Sequence, residues 1–418
     1  MSHPDNVLLA RQPIFNRKMQ VFGYQLQYQD STQTSAFSSV LTTPAKADQA
    51  AARVIVNAFT SAGEFSVCDE LPTFIRVSSQ LLYSGNLLSL PPTTIIFDVI
   101  DALEPDEQAL KTLKLYRKHK FRLAIGVNRG TINDDNDKAH PLLKEADFIR
   151  LDINALGIET FRRVHSELTT SHPNAKIIAS MVQTQVQLRH CQSVPNELFQ
   201  GQFLCRPAIV KGRGLSYSQN ASLQLVGELQ SPDITPQRIA ELLSQAPQLS
   251  YRLLRLINSA TYELTRTIES LQEAVIYLGL SVICHWVSLM VLADASGKPK
   301  ALVLSTLIRA KMSESLCQKL YPKDSSRAFL TGLLSTLDAM LDISLEQAVS
   351  QLPLSAQINE ALLNKTGPLG EICAAVIAYE QGDFSTAKEV IKIEDYQFFV
   401  AYGEAVLWAN GVCNQLFK

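Results

Sequence analysis

The first half of the chain alternates short apolar runs with longer amphipathic stretches. Eight runs rich in β-branched and aromatic residues are typical of buried strands: "VLLARQPI", "VFGYQLQY", "TFIRVS", "TTIIFDVI", "RLAIGV", "DFIRLDI", "KIIASMV" and "LFQGQFL". Between some of them, residues 46–62, 105–120 and 154–168 repeat apolar positions every three or four residues, which predicts helices. Strands alternating with helices over about 200 residues predict a TIM-like β/α barrel, with a doubly wound open sheet as the structural alternative.

The pattern changes after "CRPAIVKGRGLS" at residues 205–216, and helical periodicity dominates from there on. The stretch 235–245 starts with Thr235 at a helix N-cap and Pro236 at the first helical position. Residues 299–321 form another long amphipathic pattern. We therefore predict two domains, a barrel over residues 1–207 and an all-α domain over residues 208–418.

Composition narrows the classes of partner. The 418 residues contain 38 lysines and arginines against 40 acids, a formal net charge of -2, with no basic stripe of the kind that nucleic-acid binding requires. The seven cysteines are scattered without a CxxC pair, so the sequence suggests neither a disulfide framework nor a zinc site. We expect no nucleic-acid partner and a reducing compartment.

No segment of the sequence is typical of export or of membrane insertion. The opening "MSHPDNVLLARQP" lacks the basic start and apolar core of a signal peptide. The most apolar stretch, residues 282–293, includes His285 and is shorter than the roughly 20 residues that span a bilayer. We interpret it as a core helix, with Cys284 and His285 as packed residues, and we expect a cytoplasmic protein with no membrane partner.

Both halves resemble known families. The opening "ARQPIFNRKMQVFGYQLQYQ" and the closing "FQGQFLCRP" of the first half resemble the two ends of the EAL domain, a bacterial barrel that hydrolyses cyclic di-GMP. The segment at 248–286, "QLSYRLLRLINSATYELTRTIESLQEAVIYLGLSVICHW", resembles the HDOD domain, an all-helical relative of HD phosphohydrolases. The resemblance implies a two-domain EAL–HDOD signalling protein.

Active EAL enzymes hold two divalent cations at the carboxyl ends of the barrel strands, and such hard cations require several oxygen ligands. At the family's site positions this chain differs in most places: Gln25 for the Glu of the EAL triplet, Gln29 for a phosphate-binding Arg, Arg76 for a metal-binding Asn, Gly126 and Val127 for paired aspartates, Arg150 for the catalytic Lys, and Ser180 and Gln183 for two glutamates. The resemblance therefore implies a degenerate site that holds no metal and no other cofactor.

Some family residues are retained at aligned positions. Asp98 and Asp101 in "DVID" keep the acids of one family strand in shortened form, and Asp152 and Gln200 are also retained. One hypothesis is that Arg76 and Arg150 replace the metals by pairing with the remaining carboxylates. The alternative is that their side chains extend to solvent.

The helical half lacks the metal ligands of HD enzymes. Their His-Asp doublet would fall near Ser335 and Thr336, and residues 286–418 contain no histidine at all. HD-type metal hydrolysis is therefore not expected.

From these observations we predict a protein with no enzymatic activity that works in cyclic di-GMP-linked regulation, such as motility or biofilm control. It would act through contacts between the helical domain and a protein partner of unknown identity. A receptor that binds cyclic di-GMP without cutting it is the main alternative, and a residual phosphodiesterase is a third. For the non-enzymatic protein, cyclic di-GMP is expected at most as a weak ligand. A homodimer is a further expectation, because EAL domains often pair.

Overall fold

The computed structural model of the chain describes residues 7–30, 71–77, 79–89, 92, 94–99, 107–127, 141–195, 197–206, 217–231, 233–244, 246–259, 268, 270–296 and 298–417. The helix predicted at 46–62 and Asp101 lie outside these residues. The chain forms two compact units, one of Met1–Phe203 with Tyr379–Ser385 and the other of Leu204–Ala378 with Thr386–Lys418.

The first unit is a closed barrel whose described strands follow in chain order. They are β1 Val7–Asn16, β2 Val21–Asp30, β3 Thr73–Val77, β4 Ile95–Val99, β5 Arg122–Val127, β6 Phe148–Asp152, β7 Lys176–Ser180 and β8 Leu198–Gln200. Each of the eight apolar runs forms a strand, and closure rules out the open-sheet alternative. Strand β1 is antiparallel to both its neighbours, β2 and β8, whereas β2 to β8 pair in parallel.

The helices of the first unit connect these strands. They are α1 Ser79–Tyr83, α2 Glu107–Lys118, α3 Ile153–Leu156, α4 Ile158–Ser171 and α5 Gln185–Gln192, with short 3-10 turns at Asn86–Ser89, Pro141–Glu145 and Phe203–Cys205. The helix predicted at 154–168 is divided at Gly157, whose φ of 76° is in the left-handed region and ends α3.

The second unit is helical throughout its described residues, as the periodicity predicts. Its elements are α6 Tyr217–Leu229, α7 Pro236–Ser244, α8 Pro247–Ile257, α9 Leu271–Leu278, α10 Leu280–Ser296, α11 Lys300–Leu320, a 3-10 turn Pro322–Asp324, α12 Ser325–Leu334, α13 Leu337–Leu341, α14 Leu345–Val349, α15 Ala356–Leu363, α16 Gly367–Glu380 (its last two residues belong to the first unit), α17 Phe384–Val390 and α18 Asp395–Leu416. Thr235 caps α7 as predicted, because its hydroxyl accepts a hydrogen bond from the Arg238 amide at 3.2 Å.

The apolar stretch at 282–293 lies inside α10 and is a core helix, as predicted. His285 is 7% exposed and stacks on Phe329 with 5.2 Å between ring centroids. Burial lowers the pKa of His285 to about 4 and raises the pKa of Cys284 to about 11, so the imidazole is neutral and the thiol is protonated at neutral pH. No single helix in the described part of the chain is long and apolar enough to cross a membrane; Gln272–Leu278 and Leu280–Asp294 meet that test only as a pair, which is bent by 115°.

Candidate functional site

Inside the barrel, the described strands form an apolar layer with a polar layer above it. The apolar layer consists of Ile14, Phe74, Ile96, Ala124, Phe148, Ile178 and Leu198, which are all buried. Strand side chains alternate between faces, so positions two residues further along a strand face the same side. This alternation places Arg76, Asp98, Gly126, Arg150, Ser180 and Gln200 in a second layer, at the carboxyl ends of the parallel strands.

At the centre of the polar layer, Arg150 pairs with Asp98. Arg150 Nη2 lies 3.0 Å from Asp98 Oδ2, and Nε donates to Oδ1 at 3.4 Å. The Nη2 contact is within ion-pair distance without the alignment of a hydrogen bond. The two side chains are 10% and 4% exposed, so water screens this pair poorly. The hypothesis that an arginine pairs with a surviving carboxylate is thus confirmed for Arg150.

Three glutamines complete the network around this ion pair. Gln25 Nε2 donates to Asp98 Oδ2 at 3.0 Å, and Gln200 accepts a short hydrogen bond from Arg150 Nη1. Gln200 Nε2 in turn donates to Gln25 Oε1 and, at 2.8 Å, to Gln12 Oε1. Gln25 and Gln200 are 1% and 3% exposed. These amides supply partners for a buried charge pair that would otherwise be costly to desolvate.

The position aligned with the first lost aspartate is open. A Cβ atom built on Gly126 would meet no atom within 4 Å, and Gly126 is the register partner of Arg150. Val127 lies on the opposite face of β5 by strand alternation, where it is 6% exposed and pairs with Leu151. The strand therefore retains space for a side chain at Gly126 but carries no acid at either position.

The remaining predicted residues are distributed around this layer. Arg76 is the register partner of Asp98 and is half-buried, and the hypothesis that it neutralises a carboxylate stays a prediction. Ser180 is buried and its hydroxyl donates to Leu151 O at 3.0 Å. The backbone of Gln29 lies in β2, and its side chain is outside the described residues.

Two predicted positions serve local structure. Asp152 Oδ1 accepts hydrogen bonds from the amides of Asn154 at 2.8 Å and Ala155 at 3.0 Å, so this carboxylate is the N-cap of α3. The backbone N–H of Gln183 donates to Gln187 Oε1 at 2.7 Å at the start of α5. The retained Asp152 therefore has a structural role at the rim of the barrel.

The described residues do not fit a pair of divalent cations. Asp98 is the carboxylate that they supply to the polar layer, and it is paired with Arg150. A dication placed about 4 Å from a guanidinium would be repelled by about 8 kcal/mol at an effective dielectric constant of 20. Within the same residues, no three His, Cys, Asp or Glu side chains form a group that could hold a metal ion.

In the helical unit, Ser335 and Thr336 stand at the position of the His-Asp doublet, and an arginine contacts Ser335. Ser335 Oγ accepts from Arg309 Nη1 at 3.0 Å, and the Thr336 and Thr306 hydroxyls lie 2.7 Å apart. All four residues are buried. Burial is the largest cause that raises the pKa of the neighbouring Asp338, opposed in part by the charge of Arg309. These side chains form a polar cluster inside the helical core.

Sequence reasoning missed Gln12 and Arg309. Both are polar residues inside apolar runs, "ARQPI" and "LSTLIRAKM", and that isolation is the signal that could have identified them. Arg11, the neighbour of Gln12, alternates to the other face of β1. Its guanidinium packs 4.2 Å above the Tyr24 ring centroid, so it does not join the polar layer.

Comparison with known proteins gives a family for the helical unit. Residues 218–364 match the family model described as HDOD domain, so this part of the chain is an HDOD domain. Two curated proteins are similar over most of the chain. An uncharacterized protein, YuxH of Bacillus subtilis, is 26% identical over 413 residues, 97% of this chain and 98% of that protein. Cyclic di-GMP phosphodiesterase CdgJ of Vibrio cholerae is 28% identical over 386 residues, 91% of this chain and 86% of that protein.

Solved structures of other proteins are similar to part of the chain. Klebsiella pneumoniae BlrP1 in a calcium and cyclic di-GMP complex is 20% identical with a TM-score of 0.38, over 47% of this chain and 54% of that chain. Bacillus subtilis YkuI, which has an EAL domain, is 14% identical with a TM-score of 0.37, over 65% of this chain and 72% of that chain. The chain combines a closed eight-stranded barrel with a region that matches the HDOD domain.

Proposed function

We propose that this chain is a non-catalytic signalling protein in cyclic di-GMP-linked regulation, acting through protein contacts. The observation that carries the proposal is the buried pair of Arg150 and Asp98, with amides in the positions where metal ligands would be needed. Hydrolysis that depends on two cations has no set of oxygen ligands among the described residues. Motility and biofilm control are the outputs that the EAL–HDOD resemblance suggests.

The relatives support the two parts of the proposal unequally. The name of the Vibrio cholerae relative links it to cyclic di-GMP and describes it as a phosphodiesterase. A shared fold does not carry activity by itself, because activity depends on the residues of the site. The contacts of Arg150 favour a protein that keeps the signalling link without the hydrolysis.

A turnover assay tests the absence of catalysis. The purified full chain is incubated with cyclic di-GMP and Mn²⁺ or Mg²⁺, and the linear product is measured by mass spectrometry. We expect no product above a buffer blank, and the same result for Asp98→Ala. Metal-dependent product formation that Asp98→Ala abolishes would contradict the proposal.

The helical unit offers exposed apolar side chains for a protein partner. Tyr251 is 65% exposed, Ile276 is 85% exposed and Tyr277 is 51% exposed. Large exposed apolar residues are favourable contact points at protein interfaces. We expect Ile276→Lys in the full chain to lose partners that the wild type captures from native cells, whereas Leu407→Lys, a change at another exposed position, keeps them. If Ile276→Lys captures the same partners as Leu407→Lys and the wild type, Ile276 is not part of the contact with the partner.

A receptor that binds cyclic di-GMP without cutting it is the second candidate. It is favoured by the guanidinium of Arg150 at the carboxyl ends of the strands, where a phosphate could be contacted, and disfavoured by the engagement of that guanidinium with Asp98. Calorimetry separates the candidates. Binding tighter than about 10 μM, which corresponds to about 7 kcal/mol, would favour the receptor.

A further inference from the structure

Strand β1 has one side that β8 covers only in part. Strand β8 pairs with Ile14, Phe15 and Asn16 of β1. Among the described residues, no strand pairs on that side with the preceding part of β1, which is residues 7–13. A strand edge that no other strand covers is a template for pairing with another chain.

A remote segment of the same compact unit occupies this edge. The Tyr379 hydroxyl donates to Leu9 O at 3.0 Å and accepts from Leu9 N at 3.3 Å. The N–H and C=O of one strand residue point to the same side, so this hydroxyl replaces the two bonds that a neighbouring strand would make to Leu9. Tyr379 is fully buried and packs edge-on against Phe384 with 4.9 Å between ring centroids.

The turn that follows Tyr379 is fitted closely to β2. Gly382 has a φ of 77°, and a Cβ atom there would meet Gln27 Oε1. A larger residue would therefore be strained by its backbone conformation and would collide with the Gln27 side chain. Gln27 Nε2 donates to Gln12 Oε1 at 3.3 Å, which connects this turn to the polar layer of the barrel.

We propose that Tyr379–Ser385 is a built-in cap on the open edge of β1, and that it prevents this edge from pairing with the β1 edge of a second copy of the chain. Two antiparallel edges related by a two-fold axis can pair with each other, so the same segment from another molecule is a suitable partner. The cap then keeps the chain from associating through this edge of β1.

Hydrogen exchange in the full chain tests the contact. Tyr379→Phe removes one oxygen atom and leaves the Leu9 amide without its acceptor, so we expect the peptide covering residues 7–16 to exchange at least about fivefold faster at one amide. Tyr116→Phe is the matched control, because it removes a buried hydroxyl that donates to Leu82 O at 3.0 Å in the same unit. Unchanged exchange in Tyr379→Phe would overturn the proposal.

Self-association tests the consequence. We expect Gly382→Val to displace the cap and to raise the molar mass measured by light scattering as concentration increases, relative to the wild type at the same concentrations. Tyr379→Phe should shift in the same direction by a smaller amount, and it serves as the test where Gly382→Val does not fold. A mass identical to that of the wild type for the folded variants at every concentration would overturn the proposal.

Discussion

The ion pair between Arg150 and Asp98 makes a quantitative prediction about the stability of the barrel. Asp98→Asn keeps the shape of the side chain but removes the charge that Arg150 Nη2 contacts at 3.0 Å. Arg150 would remain almost fully buried and, among the described residues, would have only neutral partners. Loss of one partner of a buried pair costs about 3–5 kcal/mol. Replacing both partners, by Asp98→Asn with Arg150→Met, removes the isolated charge and should recover part of this loss. We expect a coupling energy of about 2 kcal/mol or more.

The free energies of unfolding in this double-mutant cycle are measured by urea unfolding followed with far-ultraviolet circular dichroism. Hydrogen exchange is measured for the peptides that contain β4 and β6. Fluorescence does not report on the barrel, because the only two tryptophans, Trp286 and Trp408, lie in the helical unit. Glu107→Gln is a suitable control, since its ion pair with Lys111 is exposed and should contribute less than about 1 kcal/mol. A loss below about 1 kcal/mol for Asp98→Asn, or additive effects in the double variant, would refute the reasoning.

Three further predictions follow from buried or open positions. Burial lowers the pKa of His285 to about 4, so the neutral imidazole contributes about 3 kcal/mol to the free energy of unfolding above pH 6.5, and this contribution is lost as pH falls toward 4. His285→Phe should flatten the pH dependence of the unfolding midpoint measured by tryptophan fluorescence, whereas the exposed His119→Asn should not. An unchanged slope in His285→Phe would argue against this prediction. Burial raises the pKa of Asp338, which makes its ionised form unfavourable in the folded state. Asp338→Asn should therefore stabilise the helical unit at neutral pH, and this gain should shrink as pH falls toward 3.8. Destabilisation at neutral pH would show that the charge of Arg309 outweighs burial. Gly126→Ala should raise the free energy of unfolding by about 0.5–1 kcal/mol because its Cβ enters open space, and a clear loss in the same denaturation assay would show that the space is filled.

Much of the barrel was predictable because its signals are local. Strands that are buried on both faces appear as continuous apolar runs, and this pattern identified all eight strands, including the three-residue β8. The antiparallel direction of β1 was not predictable, since direction depends on which strands pair and not on the composition of the run. The division of the 154–168 helix depends on the positive φ at Gly157, and a periodic apolar pattern does not report backbone dihedral angles.

The sequence alone indicated which of the family's site residues are absent. It indicated less about which of the remaining side chains contact each other. Alignment to the family placed Arg150 and Asp98 at site positions, and strand register then brought them together. The role of Gln12 depends on closure of the barrel between β1 and β8, which joins residues that are 188 positions apart. The contact of Tyr379 with Leu9 spans 370 positions and has no local signal at all.

A manganese soak of crystals of the full chain, followed by anomalous diffraction, shows whether the polar layer of the barrel binds metal. We expect no ordered Mn²⁺ within coordination distance of Asp98, because Arg150 provides the positive charge there. Two anomalous peaks about 3.5–4 Å apart beside Asp98, with Arg150 displaced from the carboxylate, would contradict it.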